Sequence, residues 1–140
     1  MSLSLFMGAC SNSTKLTLTP ETIYDSHGLQ VLSKSSNQKK HTTILLFANP
    51  AAIKTAAAGN TVHQPGEDYR LVTWKQGGHP LWFGSNINGA IESIERITTS
   101  KSIDGSVKIN YQLVQGAHLK NVNQQDRIKY ILDQEPLGFP

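Results

Sequence analysis

Five histidines are the residues of this chain best suited to acid–base chemistry or metal binding. They are His27, His41, His63, His79 and His118, and the shortest interval between two of them is 14 residues. A metal or catalytic pair on one helix needs side chains three or four residues apart, which this spacing excludes. A site assembled from loops stays open, with His79 or His118 as its base, although an exposed loop histidine is the commoner case.

Other catalytic groups are poorly represented in the sequence. The stretch nearest to a hydrolase Gly-x-Ser-x-Gly motif is Gly84-Ser85-Asn86, and it lacks the second glycine. Glu67 and Asp68 are adjacent, so on a strand their side chains would point to opposite faces. Glu92 and Glu95 are expected to face solvent. We therefore assign no catalytic residue and no metal ligand, and the pattern leans away from an enzyme.

The most suggestive binding residues surround one predicted hairpin. They are Arg70, Trp74, His79 and Trp82. Tryptophan beside a cation can form a stacking platform for a sugar ring or an extended chain. In the alternative, both indoles fill the core of a small sheet, and this is favoured because tryptophan is highly buried on average. The sequence thus predicts a candidate ligand site at these four residues, with core packing as the competing interpretation.

Apolar runs and alternation predict the strands that would position these side chains. Residues 41–47 end in a continuous apolar run, which indicates a strand buried on both faces, and residues 107–113 alternate between apolar and polar side chains. Residues 90–97 are ambiguous between helix and strand, and we choose strand. The other predicted strands are residues 15–19, 23–24, 29–32, 69–75 and 81–83.

Polar and glycine-containing stretches predict the connections. Residues 25–28 would turn a hairpin, 34–40 would form a loop, and 76–80 and 88–89 would form turns. The Asp-Gly pair at 104–105 is a strong hairpin signal.

Two helices complete the prediction. Asn49 and Pro50 are typical of a helix start, and the helix would end near Gly59. Asn121 or Asn123 would cap a second helix through about residue 134. The sum predicts an α+β fold with an antiparallel β-sheet of about seven strands and two helices, with a mainly-β sandwich or barrel as the alternative.

Composition narrows the function classes. The chain has 140 residues, with 38% hydrophobic and 16% charged side chains, which suits one globular domain with a real core. The 13 Lys and Arg residues are scattered and the formal net charge is only +3, so we predict no nucleic-acid partner. A single cysteine excludes an intramolecular disulfide and a cysteine-cluster metal site, and no cofactor is implied.

The N-terminal stretch resembles the end of a bacterial lipoprotein signal peptide. Apolar residues are followed by the small pair Gly8-Ala9 and then by Cys10, so that Met7-Gly8-Ala9-Cys10 is similar to a lipobox. No Lys or Arg precedes Lys15, and Met7 stands where the family usually has Leu, Val or Ile. The resemblance implies that residues 1–9 are the remnant of a signal peptide and that Cys10 receives the lipid. Residues 10–14 would then form the tether and residues 15–140 a single globular domain.

The same resemblance implies a location, since a non-acidic residue such as Ser11 after the cysteine generally accompanies the outer membrane. We therefore expect a lipid-anchored envelope domain on the periplasmic side of the bacterial outer membrane. It would be a non-enzymatic binding or assembly accessory with an envelope protein or a cell-wall polymer as partner. The alternatives are a small hydrolase with a loop-assembled site and a tryptophan-lined binder of a small ligand or glycan.

Overall fold

One open antiparallel sheet of five strands forms the centre of the molecule, in the order β1-β2-β3-β4-β5. It is seen in a computed structural model that describes residues 23–79 and 82–138, with the backbone alone at 79 and 82–86. The α+β class is confirmed, whereas the alternative of a mainly-β sandwich or barrel is wrong, because the described residues form a single sheet that is open and that packs against two helices. The strands are β1 (Gln30–Asn37), β2 (Thr42–Ala48), β3 (Asp68–His79), β4 (Trp82–Lys101) and β5 (Val107–Gln115).

Both predicted helices are confirmed. Helix α1 (Pro50–Ala57) connects β2 to β3, and α2 (Gln124–Leu132) follows β5 after a short 3₁₀ turn at Ala117–Leu119. Asn49 and Asn123 cap the two helices by accepting hydrogen bonds from free backbone N–H groups of the first turn. The caps fix where each helix begins relative to the strand or loop before it.

The helices pack on one face of the sheet and form the larger core there. Ala52 and Ala56 of α1 and Ile131 of α2 are buried in this core. The sheet contributes alternate side chains of its strands, namely Leu32, Ile44, Leu46, Ala48, Tyr69, Leu71 and Ile97. We call this side the helical face.

A smaller cluster lies on the opposite face of the sheet. Phe47, Val72 and Trp74 are buried in it, and Tyr24 packs on Phe47 with ring centroids 5.4 Å apart. Residues 23–29 therefore cover part of this face, although they form no strand. The predicted hairpin around residues 25–28 is wrong for that reason.

The predicted loop at residues 34–40 is also wrong for its first half, because β1 continues through Asn37. Its side chains are polar, but the strand pairs with β2 through the backbone from Ser33↔Leu46 to Asn37↔Thr42. An edge strand tolerates polar side chains, since only one side of it is bonded to a neighbour.

Strand β4 accounts for much of the difference between about seven predicted strands and the five observed. It runs without interruption through residues 88–89, where a turn was predicted. A Cβ atom on Gly89 would lie 3.0 Å from the carbonyl oxygen of Lys75, so glycine here permits close approach of β3 and does not make a turn. Residues 76–79 likewise belong to β3. The predicted strand at 90–97 and the turn at 104–105 are confirmed, with Gly105 at φ 85°.

The predicted strand at residues 15–19 and the stretch around Cys10 lie outside the described residues. Within the described part of the chain, neither helix is long and apolar enough to cross a membrane. Leu137 is held against the edge strand, since its backbone N–H donates to the carbonyl of Leu32 at 2.8 Å.

Replacing Asn49 with alanine should cost about 2 kcal/mol of unfolding free energy, the upper end for a helix cap. The Asn49 Oδ1 accepts from Ala52 N at 3.0 Å and from Asp68 N at 3.1 Å, and its Nδ2 donates to Gly66 O at 2.8 Å. Asn123→Ala is the matched control, because Asn123 makes capping contacts only, and it should cost about 1 kcal/mol. Urea denaturation measures both, and equal losses would show that the contacts of Asn49 beyond the helix add nothing.

Candidate functional site

A groove opens on the helical face at the end of the sheet that the helices leave uncovered. Its volume is about 390 Å³. Four side chains from three adjacent strands form its floor, namely Thr42, Ile44, Thr73 and Ser93. The rim comes from the end of β1 and the turn after it, from β4, from the 3₁₀ turn and from α2, with Asn37, Lys40, Glu92, His118, Leu119, Arg127 and Tyr130. We call this site the sheet-end groove.

Hydroxyl groups dominate the floor of the sheet-end groove. The strand register places Thr73 beside Ile44 on one side and beside Ser93 on the other. Thr42 is 4% exposed and Ser93 is 2% exposed. Among the described residues, none makes a hydrogen bond with the side-chain hydroxyls of Thr42, Thr73 or Ser93. Among the described residues, the one buried side-chain polar atom without a partner is Arg70 Nε, so these hydroxyl oxygens reach the groove, where they can bond water or a guest.

A buried ion pair stands at the inner end of the groove. Glu95 is 0% exposed, and its Oε1 accepts from Arg127 Nε at 2.7 Å while its Oε2 accepts from Arg127 Nη2 at 2.6 Å. Tyr111 donates to the same Oε1 at 2.8 Å. Burial and the Glu95 carboxylate raise the pKa of the Tyr111 hydroxyl, so this hydroxyl stays protonated and donating.

The expectation that Glu95 faces solvent is therefore wrong. Glu95 lies between Ser93 and Ile97 on the helical face of β4, where α2 covers it. Arg127 lies four residues before the buried Ile131, so both side chains are on the inner side of α2. This spacing is the sequence feature that could have indicated a buried partner for Arg127. The pairing itself joins residues 32 positions apart.

Arg127 is fixed on a second side by an aromatic ring. Its guanidinium carbon lies 4.7 Å from the centroid of the Tyr130 ring, and Tyr130 is 39% exposed. The bond to Glu95, partly offset by burial, raises the pKa of Arg127. Its Nη1 amino group makes no hydrogen bond to any described residue, which leaves donors on the lining of the groove.

The charges around the sheet-end groove balance. Lys40 and Arg127 are positive, and Glu92 and Glu95 are negative, while histidine is counted as neutral. The groove thus offers donors and acceptors in a site without a strong net charge.

A second polar cluster surrounds Glu67, which is 1% exposed. Its carboxylate accepts from Gln64 N at 2.8 Å and Tyr69 OH at 3.2 Å, contacts His63 Nδ1 at 2.7 Å, and also accepts from the Thr55 hydroxyl. Burial by itself would raise the pKa of Glu67, but these hydrogen bonds and the charge of His63 outweigh burial and lower it. We call this set the Glu67 cluster.

The Glu67 cluster borders another groove, of about 430 Å³. His63 lines this groove beside Asn60, Lys129 and Asp133. Because Nδ1 contacts Glu67, Nε2 is the ring nitrogen left for a guest. His63 and Glu67 are four residues apart in the sequence, which would indicate a contact if both lay on a helix. They do not lie on a helix, so the spacing did not predict the contact.

Of the four residues predicted from sequence to bind a ligand, Arg70 and Trp74 have side chains that the structure describes. Arg70 donates to Tyr24 at 3.3 Å and approaches Asp68 at 3.5 Å, and Trp74 is 2% exposed. Both lie on the face opposite the sheet-end groove. The side chains of His79 and Trp82 lie outside the described residues, so a ligand site at these four positions stays a prediction.

The remaining histidines have different surroundings. His27 and His41 are exposed in turns with φ of 50° and 51°, and His118 lies on the rim of the sheet-end groove. Within the described residues, no group of three or more His, Cys, Asp or Glu side chains is arranged to hold a metal ion.

The fold and site together define an open-sheet α+β domain with a hydroxyl-floored groove. The chain matches no known family model, and no curated protein is significantly similar to it.

Proposed function

We propose that this protein is a non-enzymatic binding domain, anchored by a lipid on Cys10 to the periplasmic side of a bacterial outer membrane. The proposed binding function rests on the sheet-end groove. Its floor presents hydroxyls that no described residue bonds and that reach the groove, and its rim presents charged groups of both signs. Such convergent polar groups in a concave site are typical of ligand recognition.

The contacts within the groove favour binding over catalysis. His118 and Glu92 both line it, but no hydrogen bond joins them in the described part of the chain. A general base needs a partner that orients it, and here the strongest polar contact is the structural pair of Glu95 and Arg127. An envelope accessory that holds a wall polymer or a partner protein needs only this recognition.

The anchor rests on the Met7-Gly8-Ala9-Cys10 stretch. Acyl chains contribute about 0.8 kcal/mol per buried methylene, so several chains on one cysteine hold a protein firmly on a membrane. The predicted tether, residues 10–14, is at most roughly 15–20 Å long when fully extended, so it would hold the domain close to the lipid surface.

Expression of the native gene in a diderm bacterium tests the anchor. Intact mass spectrometry should find a mature chain that begins at Cys10 and carries an acyl-sized mass increment. The Cys10→Ala variant should lose both the increment and its place in the membrane fraction. An unprocessed, unacylated wild-type chain would contradict the anchoring part of the proposal.

Hydrogen exchange tests the binding part. In isolated envelopes, compared with the detergent-extracted protein, amides of the turn at residues 38–41 and of the 3₁₀ turn should become several-fold slower to exchange, because both border the groove. The turn at residues 102–106, which does not line the groove, is the internal control. Equal exchange in both preparations would contradict a binding function for the groove.

The Glu67 cluster supports a second candidate function, that of a small hydrolase with His63 as base in place of His79 or His118. A histidine held at 2.7 Å by a buried carboxylate beside a groove is the arrangement that orients a general base. The Thr55 hydroxyl donates to Glu67 and not to His63, so water would be the nucleophile. Ester hydrolysis by the wild-type protein that is abolished in His63→Ala would favour this candidate.

A further inference from the structure

The unbonded hydroxyls of the sheet-end groove indicate what its guest must supply. Because no described residue bonds these hydroxyls and their oxygens reach the groove, their bonding capacity is met by water in the free protein, and a guest that displaces this water has to replace its bonds. Thr42 and Ser93 are more than nine-tenths buried and Thr73 lies between Ile44 and Ser93 on the same floor. A hydroxyl both donates and accepts, so the best complement is a guest that does both as well.

The charge balance of the groove argues against an anionic guest. A carboxylate or phosphate on Lys40 or Arg127 would also approach Glu92, and Glu95 already neutralises Arg127. An uncharged guest can instead accept from Lys40 and donate to Glu92 without repulsion. Electrostatic complementarity therefore favours a neutral molecule rich in hydroxyl groups.

Apolar side chains beside the hydroxyls restrict the class of ligand further. Ile44 belongs to the floor, and Leu119 and the exposed ring of Tyr130 belong to the rim. A pyranose ring has the same division, with an apolar C–H face and a polar edge, and aromatic or aliphatic side chains suit that face.

We infer that the sheet-end groove binds uncharged sugar units, such as hexose or N-acetylhexosamine residues of a glycan. The inference deepens the proposed function, on which it rests, by naming the ligand class of the same site. It differs from a tryptophan-lined glycan site, because Trp74 is buried on the opposite face. A wall polymer and a free oligosaccharide present the same chemistry.

Calorimetric titration of the full chain with three uncharged probes tests the inference: N-acetylglucosamine, its β-1,4-linked trimer and maltotriose. A trigalacturonate probe of similar size carries the negative charge. We expect binding of at least one uncharged probe, and at least tenfold weaker binding of the acidic one. Affinity that rises from the monomer to the trimer indicates a polymer, and equal affinity indicates a single sugar.

Two variants test whether the hydroxyls on the floor of the groove contact the sugar. Thr73→Val and Ser93→Ala each remove one hydroxyl and should weaken sugar binding about threefold to tenfold. Ser100→Ala is the control, because Ser100 is an exposed hydroxyl of β4 outside the groove, and it should leave affinity unchanged. The melting temperature of Thr73→Val should not fall, since the variant removes an unbonded hydroxyl, and this separates loss of a ligand contact from loss of fold.

Two results would overturn the inference: no binding of any uncharged probe at 10 mM, or binding that is unchanged in both floor variants. If either result accompanies protection of the groove in envelopes, the binding function stands and only the ligand class is wrong. If the groove is not protected in envelopes either, the proposed function fails with it.

Discussion

Replacing Arg127 with alanine is expected to lower the free energy of unfolding by about 3–5 kcal/mol, the largest effect of any single change considered. The Glu95 carboxylate is fully buried and receives two of its hydrogen bonds from Arg127. Without the guanidinium, that charge stays in the core with Tyr111 as its remaining donor. Urea denaturation at pH 7 measures the loss.

Arg96→Ala is the matched control for this prediction. Arg96 also pairs with a carboxylate through two hydrogen bonds, at 3.2 and 2.8 Å to Asp68, but its side chain is 38% exposed. Exposed ion pairs contribute about 0–1 kcal/mol, so this variant should lose little. The double variant Arg127→Ala/Glu95→Gln should recover about 1–2 kcal/mol of the loss by removing the stranded charge. Equal losses for the two arginine variants would mean that burial of Glu95 does not decide the effect.

Glu67→Gln is expected to cost about 2–3 kcal/mol, the next largest effect. The variant keeps the shape of the side chain but replaces a carboxylate that accepts from Gln64 N, Tyr69 and Thr55. An amide nitrogen in place of one carboxylate oxygen would face donors and leave at least one of them unbonded. Glu135→Gln, at an exposed carboxylate, is the control and should change stability by less than about 0.5 kcal/mol.

The pH dependence gives the Glu67 prediction a second, independent readout. The pKa of Glu67 in the folded protein is lowered from its ordinary value of 4.5. The stability that the charge contributes is therefore fully present above pH 4.5 and is lost as the pH falls through the folded-state pKa. The difference in unfolding free energy between wild type and Glu67→Gln should be largest at neutral pH and should shrink below pH 4.5. A difference that is constant with pH would contradict a role for the carboxylate charge.

Local signals explain the parts of the fold that the sequence predicts well. Asn49 and Pro50 determine the start of α1 from neighbouring residues alone, and the Asp-Gly pair at 104–105 determines the hairpin between β4 and β5. Strand β2 is predicted because its continuous apolar run fits a central strand. In each case the interaction that decides the structure lies within a few residues of the pattern that reveals it.

The candidate sites depend on contacts between distant positions. Thr42, Thr73 and Ser93 meet only because the register of three strands brings them side by side. From the sequence alone, Glu95 is expected on the surface. In the structure, α2 packs over β4 and places Arg127 against it. Gly89 was predicted to form a turn because a glycine in the sequence looks the same whether it makes a turn or allows a neighbouring strand to approach closely. Sequence patterns of period two or 3.6 carry no information on such register and packing.

The polar character of the outermost strands has a consequence for copies of this protein that meet at high concentration. An open sheet ends in two edges, and an exposed edge can recruit a strand from another copy and begin aggregation. Here Lys34 is exposed on β1 and Lys108 is exposed on β5, and the backbone of Leu137 already occupies one acceptor of β1. A second copy approaching either edge would have to bring lysine next to lysine and desolvate both. The hydrophilic stretch that looks like a loop in the sequence thus helps to keep neighbouring molecules from joining their sheets.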